Sequence, residues 1–192
     1  MAVKIPSLDI DFQIKLLAEQ DYDCLAHFNC GVEDLDNFFH NEIKDCIAHN
    51  FIACYFALTP DRTIIAAFTL MNDAVMITGS TEKEDFIDDL SYISTPEKIN
   101  FFIRQTSFPA INIGHLGISS EYQGRGIGTA IIDFVAQTFA TYRQAGCQFI
   151  TVDAINNPAV TNFYCTNGFY FQTNRDFYSS TRRMYRILSG EK

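Results

Sequence analysis

The chain has 192 residues, 47% of them apolar, and its 23 acidic against 14 basic side chains leave a net charge of −9. That length suits one domain with a full hydrophobic core. Residues 1–109 hold 18 Asp/Glu against 7 Lys/Arg, whereas residues 110–192 hold 5 against 7; the acidic half disfavours nonspecific attraction to nucleic acid or anionic lipid.

In chain order, the opening "MAVKIPSLDIDF" has acids early and no apolar core of leader length, so a cytoplasmic location is expected. "FQIKLL" (12–17) alternates as a first strand does. From Tyr22 to His49 the spacing turns helical, with Leu35, Phe38, Phe39, Ile43, Cys46 and Ile47 recurring at three- and four-residue steps. "FIACYFALT" (51–59) and "TIIAAFTLM" (63–71) flank Pro60-Asp61-Arg62 and read as a hairpin. The second holds the longest apolar run, Ile64 to Met71, which is far too short to span a bilayer, so no membrane partner is expected.

Residues 79–109 read as an insertion between strands. Its "TGSTEKEDFIDDL" is acidic and loop-like, and "STPEKINFFIRQ" then opens a helix with a hydroxyl cap at Thr95 and proline at the first helical position. "AINIGHLGIS" (110–119) is a strand. A helix follows from about Gly126 to Ala145, with Gly146 placed to end it. "CQFITVDAI" (147–155) is another strand. Asn157-Pro158 starts a short helix ended by Asn167-Gly168, and "FYFQTNRDF" and "RRMYRIL" close the chain as strands. The order predicts one mixed α/β domain over 1–192 with a single strand–helix–strand crossover. The six cysteines are scattered, with no C-x-x-C and no Cys/His cluster at zinc spacing; they read as reduced thiols, and no metal site is expected.

The segment that bears chemistry is "SSEYQGRGIGTAIIDF" (119–134), with Gly124, Gly126 and Gly128 at alternate positions before an apolar helix. A dinucleotide fingerprint fails in both frames, because Thr129 or Ile131 occupies the last slot. A P-loop fails for want of a lysine. What remains is a tight bend into a helix N-terminus, where free amides and the helix dipole favour an anion and side chains would block its approach. Arg125 adds a cation. Glycines that only permit a sharp turn would explain one or two of the three.

Gln123-Gly124-Arg125-Gly126-Ile127-Gly128 resembles the Q/R-x-x-G-x-G/A segment of the GNAT superfamily of N-acetyltransferases. "LGIS" before it is similar to that family's bulged fourth strand. "NPAVTNFYCTNGF" (157–169) resembles its N-x-x-A-x-x-x-Y-x-x-x-GF signature, with Val160 where alanine is usual. The resemblance implies a GNAT fold: a central, mostly antiparallel twisted sheet of about seven strands, flanking helices, and a crossover from the fourth strand through a helix to the fifth. It also implies acetyl-CoA as cosubstrate. The diphosphate would lie on Gln123, Gly124, Arg125, Gly126, Ile127, Gly128 and Thr129, and the pantetheine arm on the backbone of Leu116, Gly117 and Ile118.

By the same resemblance Tyr164 is the general acid toward the leaving thiolate, and Asn157 contacts the pantetheine or caps the closing helix. Where some members carry a glutamate on the fourth strand this chain has Asn112, so His115 and Asp153 are the candidate bases. The implied reaction is direct acetyl transfer to a primary amine in a ternary complex, the acceptor being a small cationic amine, a lysine or a protein N-terminus. An acidic rim (Asp34, Asp36, Glu42, Glu82, Glu84, Asp85, Asp88, Asp89) would attract such a cation. A homodimer is one assembly the chain allows.

"HFNCGVEDLDNFF" together with "FPAINIGHLGIS" is also similar to acetyltransferase toxins that modify aminoacyl-tRNA. That reading needs a cationic surface, for which only Arg175, Arg182, Arg183 and Arg186 are available. A non-catalytic acyl-CoA sensor is the third alternative.

Overall fold

Strand and helix boundaries follow from which side chains find apolar cover. The computed structural model describes residues 2–3, 11–77, 79–91 and 95–188; the opening segment read for a leader lies mostly outside these. The chain divides into two compact units, Met1–Met71 with Ile113–Gln137 and Asn72–Asn112 with Thr138–Lys192.

In the first unit β1 (Ala2–Val3) pairs antiparallel with β2 (Phe12–Leu16), β2 with β3 (Ala53–Leu58), and β3 with the start of β4 (Ile64–Met76). Arg62, at φ +68°, makes the hairpin turn possible, and Asp61 accepts hydrogen bonds there from the hydroxyls of Thr59 and Thr63. The helical stretch expected over Tyr22–His49, read as two helices, is four short pieces: α1 (Tyr22–Leu25), α2 (Glu33–Asn37), a π turn (Phe38–Glu42) and α3 (Ile43–Ala48). Gly31 at φ +79° breaks the run. The π turn then shifts the helical phase, so that Phe38, Phe39 and Ile43 are all buried with Leu25, Phe28 and Phe56.

In the second unit "TGSTEKEDFIDDL" is not a loop. It forms α4 (Ser80–Ser91), because Phe86 and Leu90, one turn apart, are both buried and Ile87 packs beside them. The helix α5 (Pro96–Ile103) begins as expected, with the Thr95 hydroxyl accepting from the Lys98 amide at 3.4 Å. Phe86, Phe102, Phe108, Phe149 and Tyr185 form one aromatic cluster with ring centroids 5.2 to 6.4 Å apart. Edge-to-face and tilted pairs of this kind contribute about 0.5–1.5 kcal/mol each beyond area burial.

The strand β5 (Ser107–Ile118) starts in the second unit, pairs parallel with β6 (Phe149–Ile155) over Ala110–Asn112, and continues into the first. β6 pairs antiparallel with β8 (Thr181–Ile187), which carries the two-residue β7 (Tyr170–Phe171) at its edge. The strand order β1-β2-β3-β4-β5-β6-β8-β7 is that of a mostly antiparallel α/β sheet with one parallel crossover, as the sequence predicts. The crossover helix α6 (Ile127–Ala140) stops five residues short of its expected end, and Tyr142 lies 40% exposed against Phe139 instead of on a buried face. The helix α7 (Pro158–Thr166) runs as predicted and ends at Asn167 with Gly168 at φ +79°.

Candidate functional site

The glycine bend belongs to the first unit. β5 leads through a short turn (Ser120–Tyr122) into residues 123–126, which are exposed, and then into α6, whose first two residues are buried. Gln123 anchors the entry, its Nε2 donating to the carbonyls of Cys30 at 2.8 Å and Ile118 at 3.1 Å. Ser120 ties the same turn to Asn29, amide to carbonyl at 3.0 Å. Gly124 and Gly126 sit at φ +72° and +79°, where L side chains are strained. A Cβ at Gly124 would meet nothing within 4 Å, so the chain's own atoms do not require glycine there. Conformation accounts for two glycines, and the space beside Gly124 is open. Gly128 is buried inside α6.

Arg125 does not reach over the bend. Its Nη2 donates back to the Glu121 carbonyl at 3.0 Å and its guanidinium lies 5.0 Å from the Tyr122 ring centroid. The anion-holding capacity of this segment therefore resides in main-chain amides at the N-terminus of a 14-residue helix, with Thr129 exposed in its first turn. Exposed, bare and dipole-favoured, the bend fits a diphosphate. Of the strand residues before it, Gly117 has a reason of its own: a Cβ there would stand 3.1 Å from the Phe28 ring and 3.3 Å from that of Phe39.

His115 is in the same unit. Its ring stacks on Phe38 with centroids 3.6 Å apart, its amide donates to Thr69 Oγ1 at 3.0 Å, and its Nδ1 lies 3.1 Å from that same oxygen. Because Thr69 Oγ1 already accepts from the amide, its own proton is free to point at Nδ1. A histidine protonated on Nε2 satisfies this contact, with Thr69 donating to Nδ1. Burial pushes the imidazole below its ordinary value, with Glu42 opposing, so the ring is neutral at neutral pH. Elsewhere in this unit an open depression of about 560 Å³ is lined by residues including Glu33, Asp34, Asp36 and His40. Asp36 is partly committed, accepting from the Cys30 amide at 2.7 Å.

Tyr164, Asn157 and Asp153 belong to the second unit. Tyr164 is buried on α7 between the rings of Phe163 and Phe169, and desolvation pushes its phenol up to about 12. A phenol so placed stays protonated and keeps its proton to donate. Asn157 caps α7, its Oδ1 accepting from the Ala159 amide at 2.8 Å. Asp153 is exposed on β6 opposite Arg183 of β8, whose Nη1 donates to it at 2.9 Å.

Arg183 also donates to Asp73, which sequence reasoning passed over. Thr151 Oγ1 donates to the same carboxylate, the Ala74 amide reaches its other oxygen at 2.7 Å, and Asn112 Nδ2 stands 3.5 Å away. Partial burial raises the Asp73 pKa, but the hydrogen bonds from Thr151, Ala74 and Arg183 outweigh it and hold the carboxyl below its usual range. The one sequence signal is an acid two residues beyond the long apolar run of β4.

Nor do the four arginines form a free strip. Arg182 is buried, pairs with Asp176 at 2.8 Å and stacks over Phe171 at 4.2 Å, and Arg183 is held by two carboxylates. Among the described residues no group of three metal-ligating side chains occurs and no helix is long and apolar enough to cross a membrane. All six cysteines are free thiols, two of them exposed.

The sequence model of the acetyltransferase (GNAT) domain matches residues 93–170, which span the end of the insertion, the bend, α6, β6 and α7. No curated protein matches the chain in sequence. Several solved structures share its fold. A mutant AtaT toxin superimposes with TM-score 0.72 at 20% identity, over 98% of this chain and 96% of that one. AtaTR bound with acetyl-CoA gives 0.69 at 20%, over 93% and 94%. AtaT complexed with acetyl-methionyl-tRNAfMet gives 0.67 at 21%, over 90% and 94%. The segment matched by the acetyltransferase (GNAT) domain model runs through both the glycine bend and the Tyr164 helix, and the fold is shared with the solved toxin structures.

Proposed function

We propose that the protein transfers an acetyl group from acetyl-CoA to a primary amine in a ternary complex. The observation that carries this reading is the bend itself: two glycines at positive φ, exposed, at the head of a 14-residue helix, with open space at Gly124. Main-chain amides of Gly126, Ile127, Gly128 and Thr129 would hold the diphosphate, and the β5 backbone at Leu116–Ile118 would hold the pantetheine arm. When bound, acetyl-CoA supplies an activated thioester carbon.

The chain's own residues would then do the rest. Tyr164, still protonated well above neutral pH, would give its proton to the departing sulfur. His115, with its proton on Nε2, would donate a hydrogen bond toward developing negative charge. Asp153, exposed on β6, would hold the acceptor's ammonium and take up, directly or through water, the proton that must leave before the nitrogen attacks the thioester carbon. Asn157 would stiffen the start of α7, which carries Tyr164. A net charge of −9 and the acidic depression in the first unit support a cationic acceptor.

A second reading has its own support. The fold is shared over nearly the whole chain with AtaT, a toxin solved with acetyl-methionyl-tRNAfMet. The acceptor would then be the amino group of a charged tRNA. The commitment of Arg182 and Arg183 to internal carboxylates weighs against it, because a tRNA backbone needs free cations. Incubation with labelled acetyl-CoA and a panel of spermidine, a lysine peptide, a free N-terminal peptide and charged tRNA decides between them. Label on the amines, falling as salt rises, supports the first reading. Label on charged tRNA alone supports the second, and label on none refutes both.

A further inference from the structure

The sheet face of the second unit changes character along its length. By the two-residue period of strands, Val75, Ala110, Phe149 and Tyr185 lie on one face, and all four are buried in one cluster with Phe86. The next same-face positions are Asp73, Asn112, Thr151 and Arg183, with Asp153 one step further along β6. Register places Asn112 beside Thr151 and Asp153 opposite Arg183. An apolar continuation of the core would be easier to bury: Asn112 is 3% and Thr151 0% exposed, and each needs a hydrogen bond to be tolerated there. They find it in one another at 3.1 Å and in Asp73.

The three charged members are graded outward. The side chains of Asp73 and Arg183 are 23% and 22% exposed, whereas that of Asp153 is 56% exposed. Asp73 takes its side-chain donors on one oxygen and the Ala74 amide on the other; it fixes one arm of the Arg183 guanidinium while the other arm holds Asp153. Two carboxylates around one guanidinium leave the trio with a net charge of −1, and the accessible part of that charge is on Asp153.

We propose that Asp73 and Arg183 are positioning residues for the acceptor: Asp73 anchors Arg183, and Arg183 sets the Asp153 carboxylate to accept hydrogen bonds from the acceptor's ammonium. This rests on the amine reading above. The alternative, a pair that only closes off the core, predicts lost stability without any change in acceptor binding.

The test is calorimetric titration of spermidine into the full chain saturated with coenzyme A, which reads acceptor binding without any transfer. Asp153→Asn, at an exposed position, is expected to weaken spermidine at least tenfold and to leave coenzyme A affinity within twofold. Asp73→Asn should weaken it by a similar factor. The Asp73→Asn, Asp153→Asn double variant should be little worse than either single, because both remove one arrangement. Arg183→Lys, which keeps the charge but loses the two-armed fork, should fall between. Unchanged spermidine affinity in Asp153→Asn, fully multiplicative losses in the double variant, or a wild type that does not bind spermidine would each overturn the proposal. If Asp73→Asn proves unfolded by its thermal midpoint, Asp153→Asn and Arg183→Lys decide the matter. Absence of acetyl transfer, by contrast, bears on the function and not on this result.

Discussion

The glycine bend and the Asp73 network hold charge in opposite ways. At 123–126 the chain exposes main chain, turns its only cation back onto its own turn, and leaves the space beside Gly124 open. Around Asp73 each of three side-chain donors comes from a different strand, and all three converge on one carboxylate oxygen. The first arrangement is prepared for an anion from outside; the second has already satisfied its own. The contrast teaches that open amides at an exposed bend mark a place for a ligand, whereas a carboxylate tied to donors from three strands marks a support.

Substitutions should separate the two regions. The largest expected effect is on stability in the second unit. Phe86→Ala removes a ring shared by Phe102, Phe108, Phe149 and Tyr185 and should lower unfolding free energy by about 3–5 kcal/mol, read by denaturant titration. A loss under about 1 kcal/mol would show that this cluster is not the unit's core.

Next comes Tyr164→Phe. It should lower kcat by roughly 10² or more while leaving acetyl-CoA affinity unchanged, because only the proton donor is lost. An unchanged kcat would remove Tyr164 from the mechanism. The same variant has a pH signature. The folded phenol titrates near 12 against an ordinary 10, so the unfolded chain loses its proton first as pH rises. Wild-type stability should therefore decline between about pH 10 and 12, and Tyr164→Phe should lose that part of the decline.

Gly124→Ala comes third. With nothing of the protein within 4 Å, the new methyl meets only the strain of φ +72°, about 1–2 kcal/mol. Acetyl-CoA affinity should fall further than that strain explains, by tenfold or more. Equal affinity would mean that the ligand does not approach Gly124.

The smallest effect concerns His115, whose folded imidazole is depressed by burial. As pH falls through the ordinary histidine range the unfolded chain takes the proton first, so stability should decline with acidity. His115→Gln should flatten that decline in thermal melts between pH 7 and 5. A profile as steep as that of the wild type would mean that other groups carry it.

The same contrast explains what the sequence made legible. The bend is local: a strand, three glycines and a helix within sixteen residues, and its conformation follows from residues that neighbour one another. Likewise the caps at Thr95 and Asn157 were readable because donor and acceptor lie three and two residues apart. The Asp73 network joins residues 39, 78 and 110 positions apart, and no periodicity reports that. Acidic composition concealed α4, whose helix rests on Phe86 and Leu90 finding partners in α5 and β6. A π turn shifts the phase of the N-terminal helices, which a regular 3.6-residue period does not report. The arginine strip was proposed from sequence proximity, and two of its members turn out to be paired internally.

One titration bears most directly on the claim that bare main chain at this bend grips the diphosphate of acetyl-CoA. Acetyl-CoA should bind the wild-type chain in a calorimeter with one site per chain, and Gly126→Val, a β-branched residue at φ +79°, should abolish the heat while the unfolding transition persists. A wild type that shows no heat, or a folded Gly126→Val that binds as tightly, would contradict the account.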